Sequence, residues 1–397
     1  MRILILSTKL PYPAKDGGAI ATLNLARGLA NCGIEISMLC FNTSKHHFPP
    51  EQIPEEISQQ IHIQTVAIDT SIKPFQAFLN LLFSNIPYIA TRFRCHQYTK
   101  KLSDLLHSDH FDFIQLEGPY LYHYIPLIRK VSKGKISLRS HNVEHEIWDR
   151  RWKNERNFLL RNYFKNLAKR VRDLEKRVLK EVDILVAISE KDRMNLSAYN
   201  GKIKSIYIPT GINIAEYNPE FNEKCRDIFF IGALDWAPNQ EGLRWFLNEV
   251  IPHLATHDIR LHIAGRNAAE DFLTDFTHPL LVYHGEVEDA LEFMRSYHVM
   301  VVPLLTGSGM RIKILEGMAL GKCIVTTSIG AEGIPAKDEF NIFIADEGKL
   351  FATKILSIIN DSGMAASVSR EARKMVRENF DNFVISSRLR DFYTELA

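Results

Sequence analysis

The sequence predicts an α/β protein with two parallel-sheet domains. The chain of 397 residues is longer than one hydrophobic core usually supports. Strand-like and helix-like patterns alternate along both halves, and residues 210–224 between them have no sustained apolar periodicity. Apolar residues make up 46% and charged residues 24%, which is the balance of a folded protein. We place the domains at residues 1–212 and 222–378, followed by a helix at 379–397 that packs back towards the first domain.

The first half begins with a strand–helix–strand unit. Arg2–Ser7 and Glu35–Phe41 have strand patterns, and Ala19–Ala30 between them has helical periodicity. The alternation predicts a doubly wound parallel sheet. Its further strand candidates are His62–Ala67, Phe113–Leu116, Ile136–Arg139 and Ile184–Ile188.

The second half repeats this alternation and predicts a second parallel sheet. The last stretch, Met364–Leu396, is helical in pattern with a break near residues 379–382. The strand candidates of the second half are Asp227–Ile231, Arg260–Ala264, Leu281–Tyr283, Val299–Pro303 and Cys323–Thr326.

Charge, cysteine content and hydropathy exclude several classes of protein. A formal net charge of +2 gives no reason to expect a nucleic-acid partner. No apolar stretch approaches the roughly 20 residues that a spanning helix needs, so any membrane contact is expected to be peripheral. We predict a cytoplasmic location, and a position at the inner face of the membrane is an alternative. A disulfide framework or zinc site is disfavoured because no CxxC spacing occurs among Cys32, Cys40, Cys95, Cys225 and Cys323.

A glycine-containing loop joins the first strand to the first helix. Asp16, Gly17 and Gly18 stand at the head of this helix, where backbone N–H groups approach anions closely. A tight turn that needs glycine explains the pair equally well. Both interpretations stay open.

The segment Val301–Thr327 is the most informative part of the chain. A strand is followed by a glycine loop and then by a helix that carries Arg311, Lys313 and Glu316 near its start. Cations are unfavourable at a helix N-terminus unless an anion neutralises them, and a diphosphate would do so. The carboxylate of Glu316 is suited to two ribose hydroxyls. The alternative is a solvated pair of Lys313 and Glu316 on an ordinary amphipathic helix.

This segment resembles the donor-binding motif of the retaining GT-B glycosyltransferases of glycosyltransferase family 4. Glu316 matches the second of the family's two motif glutamates, and Ser308 stands in place of the first, as in a subgroup with GSGxRxKxLE. The resemblance implies two Rossmann-like domains that face a deep interdomain cleft. It extends, in order, to Ile3–Gly28, Asp183–Ser189, Ile208–Asn213 and Phe230–Gly242.

The resemblance also implies roles for individual residues. Family members carry an Arg and a Lys that grip the diphosphate, but Ala233 and Glu241 stand near those places, so Arg311 and Lys313 are expected to take over that charge. His141 is expected near the donor sugar. The other donor-binding residues that we expect are Gly17, Gly18, Arg266, Glu286, Val287, Ser308, Gly309 and Met310.

The spacing of His141, Glu144 and His145 would also suit a metal site. A third or fourth ligand group is not evident from the sequence, and the resemblance implies a fold that needs no metal. We therefore expect no metal or other cofactor, with the nucleotide sugar as co-substrate.

Two further stretches have the composition of possible membrane-contact or acceptor-binding surfaces. Residues 150–180 are strongly basic with interleaved aromatic side chains, which is typical either of an anionic membrane surface or of a solvated face whose apolar stripe packs inward. Phe75–Arg94 is apolar and aromatic at helical spacing. We expect it to pack in the core, with an acceptor groove or a membrane patch as alternatives.

We therefore predict a retaining glycosyltransferase of the hexosyltransferase type, active in cell-surface polysaccharide or glycolipid synthesis. Its partners would be a nucleotide-sugar donor and a saccharide or lipid-linked acceptor, with peripheral membrane contact through 150–180. The alternatives are a nucleotide-sugar epimerase or hydrolase on the same scaffold, a non-catalytic module that binds sugar nucleotides, and, on the basic stretch alone, a nucleic-acid binder.

Overall fold

A computed structural model describes residues 1–219, 226–268, 278–307 and 310–397. The described strands are β1 Arg2–Ser7, β2 Glu35–Thr43, β3 Ile61–Ile68, β4 Phe113–Glu117, β5 Lys135–Ser140, β6 Ile184–Ala187, β7 Lys204–Tyr207, β8 Ile228–Ile231, β9 Leu261–Ala264, β10 Leu281–Gly285, β11 Val299–Val302, β12 Cys323–Thr326 and β13 Phe343–Ile344. The described α-helices are α1 Gly17–Asn31, α2 Glu55–Ser58, α3 Pro74–Phe83, α4 Tyr88–Thr91, α5 His96–Ser108, α6 Ile125–Val131, α7 Glu144–Asn154, α8 Phe158–Glu181, α9 Glu190–Ser197, α10 Ala237–Trp245, α11 Ile251–Leu254, α12 Ala290–Arg295, α13 Ile312–Ala319, α14 Gly348–Asn360, α15 Ser362–Asn379 and α16 Asn382–Leu396.

The chain divides into two compact units. The first comprises Met1–Gly211 together with Asn382–Ala397, and the second comprises Ile212–Asp381. The division lies inside the stretch 210–224, in which we placed the linker. Residues 220–225 of that stretch, with Cys225, lie outside the described residues.

The first unit contains a seven-stranded sheet in the order β3-β2-β1-β4-β5-β6-β7, and all of its pairings are parallel. Helices cover both faces of such a sheet, so its central strands are continuously apolar. Ile3 to Leu6 in β1 are accordingly fully buried. The strand order reverses between β1 and β4. Ligands of doubly wound sheets bind at such a reversal, beyond the carboxyl ends of the strands.

The second unit contains a six-stranded parallel sheet in the order β10-β9-β8-β11-β12-β13. Its order reverses between β8 and β11, and the glycine-containing part of the segment Val301–Thr327 follows β11. The predicted α/β fold class with two parallel sheets is confirmed. Strand β13 was not predicted because two residues are too short for a recognisable period.

The C-terminal helix α16 packs against α1 within the first unit. Gly28 permits this approach, because a Cβ added there would lie 2.1 Å from Ser386 Oγ. The Tyr393 ring stacks on Phe113 with centroids 4.3 Å apart. The predicted helix break near residues 379–382 is confirmed, since α15 ends at Asn379 and α16 begins at Asn382.

The prediction of core packing for Phe75–Arg94 is wrong for its first part. Helix α3 has no buried residue, and its large apolar side chains are exposed. Helical spacing of apolar residues defines a face but not the direction in which that face points. Among the described residues, no helix combines the length and the apolar character needed to cross a membrane.

Candidate active site

The carboxyl edge of the second sheet brings three glycine-containing turns together. A Cβ added to Gly265, after β9, would lie 2.0 Å from the carbonyl oxygen of Gly232, after β8. The Gly265 N–H donates to the carbonyl of Gly285 at 2.8 Å. Only glycine at position 265 permits this close approach, which leaves backbone rather than side chains at the edge.

Arg311 is the N-cap residue of α13, but its side chain does not cap the helix. The side chain is buried, and its guanidinium lies 5.4 Å from the centroid of the Trp236 ring. Gly307, at φ 111°, lies against both groups, since a Cβ there would lie 2.9 Å from Arg311 Nη2. Burial lowers the pKa of Arg311, and the nearby Glu332 carboxylate opposes that shift.

Lys313 stands in the first turn of α13 beside Arg311. Its Nζ donates to the carbonyl of Ile231 and to Asn239 Oδ1, both at 3.3 Å, and lies 4.3 Å from the Phe230 ring centroid. Burial, together with the Arg311 charge, lowers the pKa of Lys313 to about 7. Its hydrogen bonds in the described part of the chain are therefore to neutral oxygens, and a like charge lies close by.

Glu316 lies one turn further along α13. Its Oε1 accepts a hydrogen bond from the Tyr217 hydroxyl at 3.1 Å. Burial raises the pKa of Glu316, and this hydrogen bond opposes the shift. Lys313 and Glu316 thus have separate partners, and the alternative of a solvated Lys313–Glu316 pair is wrong.

The remaining predicted donor-binding residues of the second unit occupy the same edge where they are described, whereas Gly17 and Gly18 lie in the first unit. Arg266 is half-buried after β9, and its carbonyl accepts from the Leu234 N–H at 2.9 Å. Glu286 is exposed and Val287 half-buried directly after β10, and Met310 is half-buried before α13. Ser308 and Gly309 lie outside the described residues.

Three residues at this edge were not predicted as site residues: Trp236, Asn239 and Tyr217. Asn239 is buried, and its Nδ2 donates to the Ala233 carbonyl at 2.7 Å while its Oδ1 accepts from Lys313. The signal in the sequence was the run of polar and helix-starting residues in LDWAPNQ directly after a strand. This run indicated the start of a helix, but it did not indicate which group the Asn239 side-chain amide contacts.

The first unit has its own polar cluster at the carboxyl ends of β4 and β5. The carboxylate of Glu117 is buried at the end of β4, and His141 follows β5. Glu117 Oε2 accepts from His141 Nε2 at 2.6 Å, Thr22 Oγ1 at 2.8 Å and Arg139 Nη1 at 3.1 Å. Gln115 Nε2 donates to the other carboxylate oxygen at 2.6 Å.

This cluster keeps Glu117 ionised. Burial would raise its pKa, but the Arg139 guanidinium and the hydrogen bonds from His141 and Thr22 outweigh burial and lower the pKa to about 2. The carboxylate holds His141 through Nε2 and leaves the imidazole 18% exposed. The sequence signal for Glu117 was a single acid at the end of an apolar strand.

Asp16 caps the N-terminus of α1, where Gly17 and Gly18 form the first turn. Its Oδ1 accepts from the Ala19 N–H at 3.0 Å and pairs with Lys9 Nζ at 2.5 Å. Burial would raise the pKa of Asp16, but these two hydrogen bonds lower it. One N–H of this helix terminus is therefore already satisfied by a side chain of the chain itself.

The possible metal ligands Glu144 and His145 do not meet His141 at a common point. Glu144 Oε2 accepts from the Tyr120 hydroxyl at 2.8 Å, and His145 Nδ1 contacts Glu175 Oε2 at 2.5 Å. Burial raises the pKa of Glu144 to about 7. Within the described ranges, no group of three or more His, Cys, Asp or Glu side chains is arranged to hold a metal ion.

Comparison with known proteins identifies the class. The profile described as Glycosyltransferase Family 4 matches residues 15–216, and that described as Glycosyl transferases group 1 matches residues 225–361. The Anabaena Alr3699/HepE structure in complex with UDP aligns over all of both chains with a TM-score of 0.69 and 14% identity. The two profiles define a glycosyltransferase, and the two Rossmann-like parallel-sheet units with such neighbours show the GT-B architecture. The chain belongs to glycosyltransferase family 4, whose profile spans half of it.

The relatives that are similar in sequence include two bacterial proteins. An uncharacterized 44.6 kDa protein in the cps region of Klebsiella pneumoniae is 24% identical over 96% of this chain and 97% of its own length. The phosphatidyl-myo-inositol mannosyltransferase of Mycolicibacterium smegmatis is 25% identical over 49% of this chain and 52% of its own length.

Proposed function

We propose that this chain transfers a hexosyl unit from a nucleotide-diphosphate sugar to an acceptor hydroxyl with retention of configuration. The observation that carries the proposal is the pair of neighbouring cations, Arg311 and Lys313, at the head of α13, where the bonded partners of Lys313 are neutral. A desolvated lysine with neutral hydrogen-bond partners beside a second cation favours a bound anion, and a diphosphate carries the matching charge. UDP and UDP-glucose complexes of the Anabaena neighbour support the same class of donor.

The proposed roles of the site residues follow from their chemistry. Arg311 and Lys313 hold the diphosphate, with Arg266 as a further cation, and Glu316 accepts the ribose hydroxyls. Backbone groups at Glu286 and Val287 meet the base. His141, held by Glu117, contacts the donor sugar, and the amides of Gly17 and Gly18 contact the phosphate.

In the proposed reaction, the bond between the anomeric carbon and the diphosphate oxygen breaks while the acceptor oxygen bonds to the same face of that carbon. The proton of the acceptor hydroxyl passes to the leaving diphosphate. The chain needs no carboxylate nucleophile for this step. Its residues stabilise the charge on the departing phosphate and orient the two substrates.

The acceptor is proposed to be a saccharide or a lipid-linked saccharide of cell-surface polysaccharide or glycolipid synthesis, handled on the cytoplasmic side. A relative in a cps region and a relative that is a phosphatidyl-myo-inositol mannosyltransferase support these two acceptor classes. The basic residues of 150–180 are the predicted membrane contact. Most of these residues lie on α8, which buries an apolar stripe with Leu167, Val171 and Val178 and leaves its basic side outward.

Two measurements test the proposal. In a thermal-shift screen with UDP, GDP, ADP and TDP, one nucleoside diphosphate should raise the Tm of the protein. A ligand that binds only the folded state stabilises that state. Incubation with the matching nucleotide sugars should then give a glycosylated acceptor with the donor's anomeric configuration. Free sugar alone would favour a hydrolase, an isomerised donor an epimerase, and binding without turnover a non-catalytic module.

Replacement of Lys313 by methionine is expected to raise the Tm and to weaken nucleoside-diphosphate binding. Burial lowers the pKa of Lys313 from 10.5 to about 7, so the unfolded chain binds more protons between these pH values and the stability of the native protein rises with pH in that window. The Lys313→Met variant should lack this rise. Differential scanning calorimetry from pH 6 to about 10.5 measures it.

The control is Lys374→Met, which removes an exposed lysine of the same unit. It should change neither the Tm nor the affinity. A Lys313→Met protein that is less stable than the native chain and binds the nucleotide equally well would contradict the assigned role.

A further inference from the structure

Helix α3 presents its apolar side to solvent. Phe75 is 72% exposed, Leu82 57% and Phe83 82%, and the helix contains no buried residue. Phe75, Phe78, Leu79 and Leu82 follow the i, i+3, i+4, i+7 spacing of a single helical face. An amphipathic helix of a globular protein normally turns that face inward, so a contiguous exposed face marks an interaction surface.

The polar side of α3 faces a basic cavity. Gln76 and Asn80 line a cavity of 440 Å³ together with Lys73, Arg92 and Arg94. Asp69 also lines it and lies 3.7 Å from Lys73 Nζ. Between Asp69 and Asp104 the chain has five Lys or Arg residues and no Asp or Glu. The exposed apolar face is thus flanked by positive charge.

Helix α8 contacts the C-terminal end of α3 through Arg170 and adds further positive charge and exposed apolar side chains. Arg170 Nη2 donates to the carbonyl of Asn80 at 2.9 Å and to that of Ile86 at 3.2 Å. Phe158 and Leu159 in the first turn of α8 are exposed. A second cavity, of 590 Å³, opens between α7 and α8 and is lined by Asp149, Trp152, Lys153, Asn162, Lys165, Asn166, Lys169 and Arg172.

The charge of the whole chain is unevenly distributed. Residues 150–180 contain twelve Lys or Arg against three Asp or Glu, although the formal net charge of the chain is only +2. One of the three acids, Glu175, is buried against His145. The remaining parts of the chain therefore carry a net negative charge, and the positive charge is concentrated in the segments around α3 and α8.

We propose that α3 docks this protein on an anionic phospholipid bilayer. The apolar face of Phe75, Phe78, Leu79 and Leu82 lies at the boundary of headgroups and acyl chains, and the neighbouring lysines and arginines contact lipid phosphates. The charge argues for this occupant over a second copy of the chain, because two such basic faces would repel each other. The docking does not depend on the proposed glycosyl transfer.

Vesicle co-sedimentation of the full chain tests the docking. The probe is vesicles of phosphatidylcholine and phosphatidylglycerol at a molar ratio of about 7:3, with pure phosphatidylcholine for comparison. The native chain should bind the mixed vesicles and bind them less at high salt. A Phe75→Ser, Leu82→Ser double variant should bind about 10-fold more weakly, because it loses the apolar surface that enters the bilayer.

The matched control is the double variant Phe340→Ser, Phe383→Ser. It removes two phenylalanines that are 51% and 57% exposed on other elements, and it should bind vesicles like the native chain. Equal binding by the α3 variant and the native chain would overturn the proposal. So would a native chain that ignores anionic vesicles, or one whose self-association in light scattering is abolished by the α3 variant. The nucleoside-diphosphate shift in Tm, measured on the same variant, separates a failure of docking from a failure of the proposed donor site.

Discussion

Replacement of both Arg311 and Lys313 by alanine is expected to lower kcat/KM for glycosyl transfer by about 10³-fold or more. The two side chains are the cations at the head of α13, and in the proposed reaction they stabilise the negative charge that develops on the departing diphosphate. Removal of a group that stabilises the transition state in addition to binding the donor lowers kcat as well as donor affinity. Steady-state kinetics with the donor found by the thermal-shift screen measures both quantities.

The chain offers a matched control for this variant. Arg370 and Lys374 are an exposed arginine and lysine on α15 in the same unit. The Arg370→Ala, Lys374→Ala variant removes the same formal charge and should retain native kinetics. Because Arg311 is buried, the Tm of each variant without ligand must be compared first. Near-native activity of a folded Arg311→Ala, Lys313→Ala variant would refute the proposed role of these cations.

Replacement of Glu117 by glutamine is expected to lower the free energy of unfolding at pH 7 by about 3 kcal/mol. Its carboxylate is buried between Arg139 and His141, and these partners lower its pKa from 4.5 to about 2. The unfolded chain binds the extra proton below pH 4.5, so this contribution is fully present above that pH. It is lost as the pH falls towards 2.

Urea titrations from pH 7 down to about 3 compare the two proteins. The native chain should lose stability towards acid more steeply than Glu117→Gln. The matched control is Glu56→Gln, whose carboxylate pairs with Arg27 but is 71% exposed, and its cost should stay below about 1 kcal/mol. A Glu117→Gln protein with native stability and the native acid profile would contradict the buried ion-pair account. The hydrogen bond that orients His141 loses its charged acceptor in this variant, so the proposed contact of His141 with the donor sugar predicts a lower transfer activity as well.

The predictions from sequence were most accurate where the signal is local. Alternating apolar periods located nearly every strand, and the helix predicted to carry Arg311, Lys313 and Glu316 near its start is α13, Ile312–Ala319. Glycine and charge next to a strand end also indicated the carboxyl edge of the second sheet, where Arg311 and Lys313 lie. These features depend on residues within a few positions of one another.

The prediction for α3 failed for a physical reason. The spacing of Phe75, Phe78, Leu79 and Leu82 defines one apolar face, but a helix period carries no information on what covers that face. The basic stretch 150–180 shows the opposite outcome for a similar pattern. It also contains an apolar stripe at helical spacing, but in α8 that stripe is buried.

Local patterns of hydrophobicity, glycine and charge were thus sufficient to establish the α/β class and the position of the glycine-containing segment between β11 and α13. Long-range packing was needed to assign a partner to each buried charge, since Thr22 and Glu117 are separated by 95 positions and Tyr217 and Glu316 by 99. A side chain's ionisation depends on the groups within a few ångströms of it, and the fold brings those groups together from distant parts of the chain.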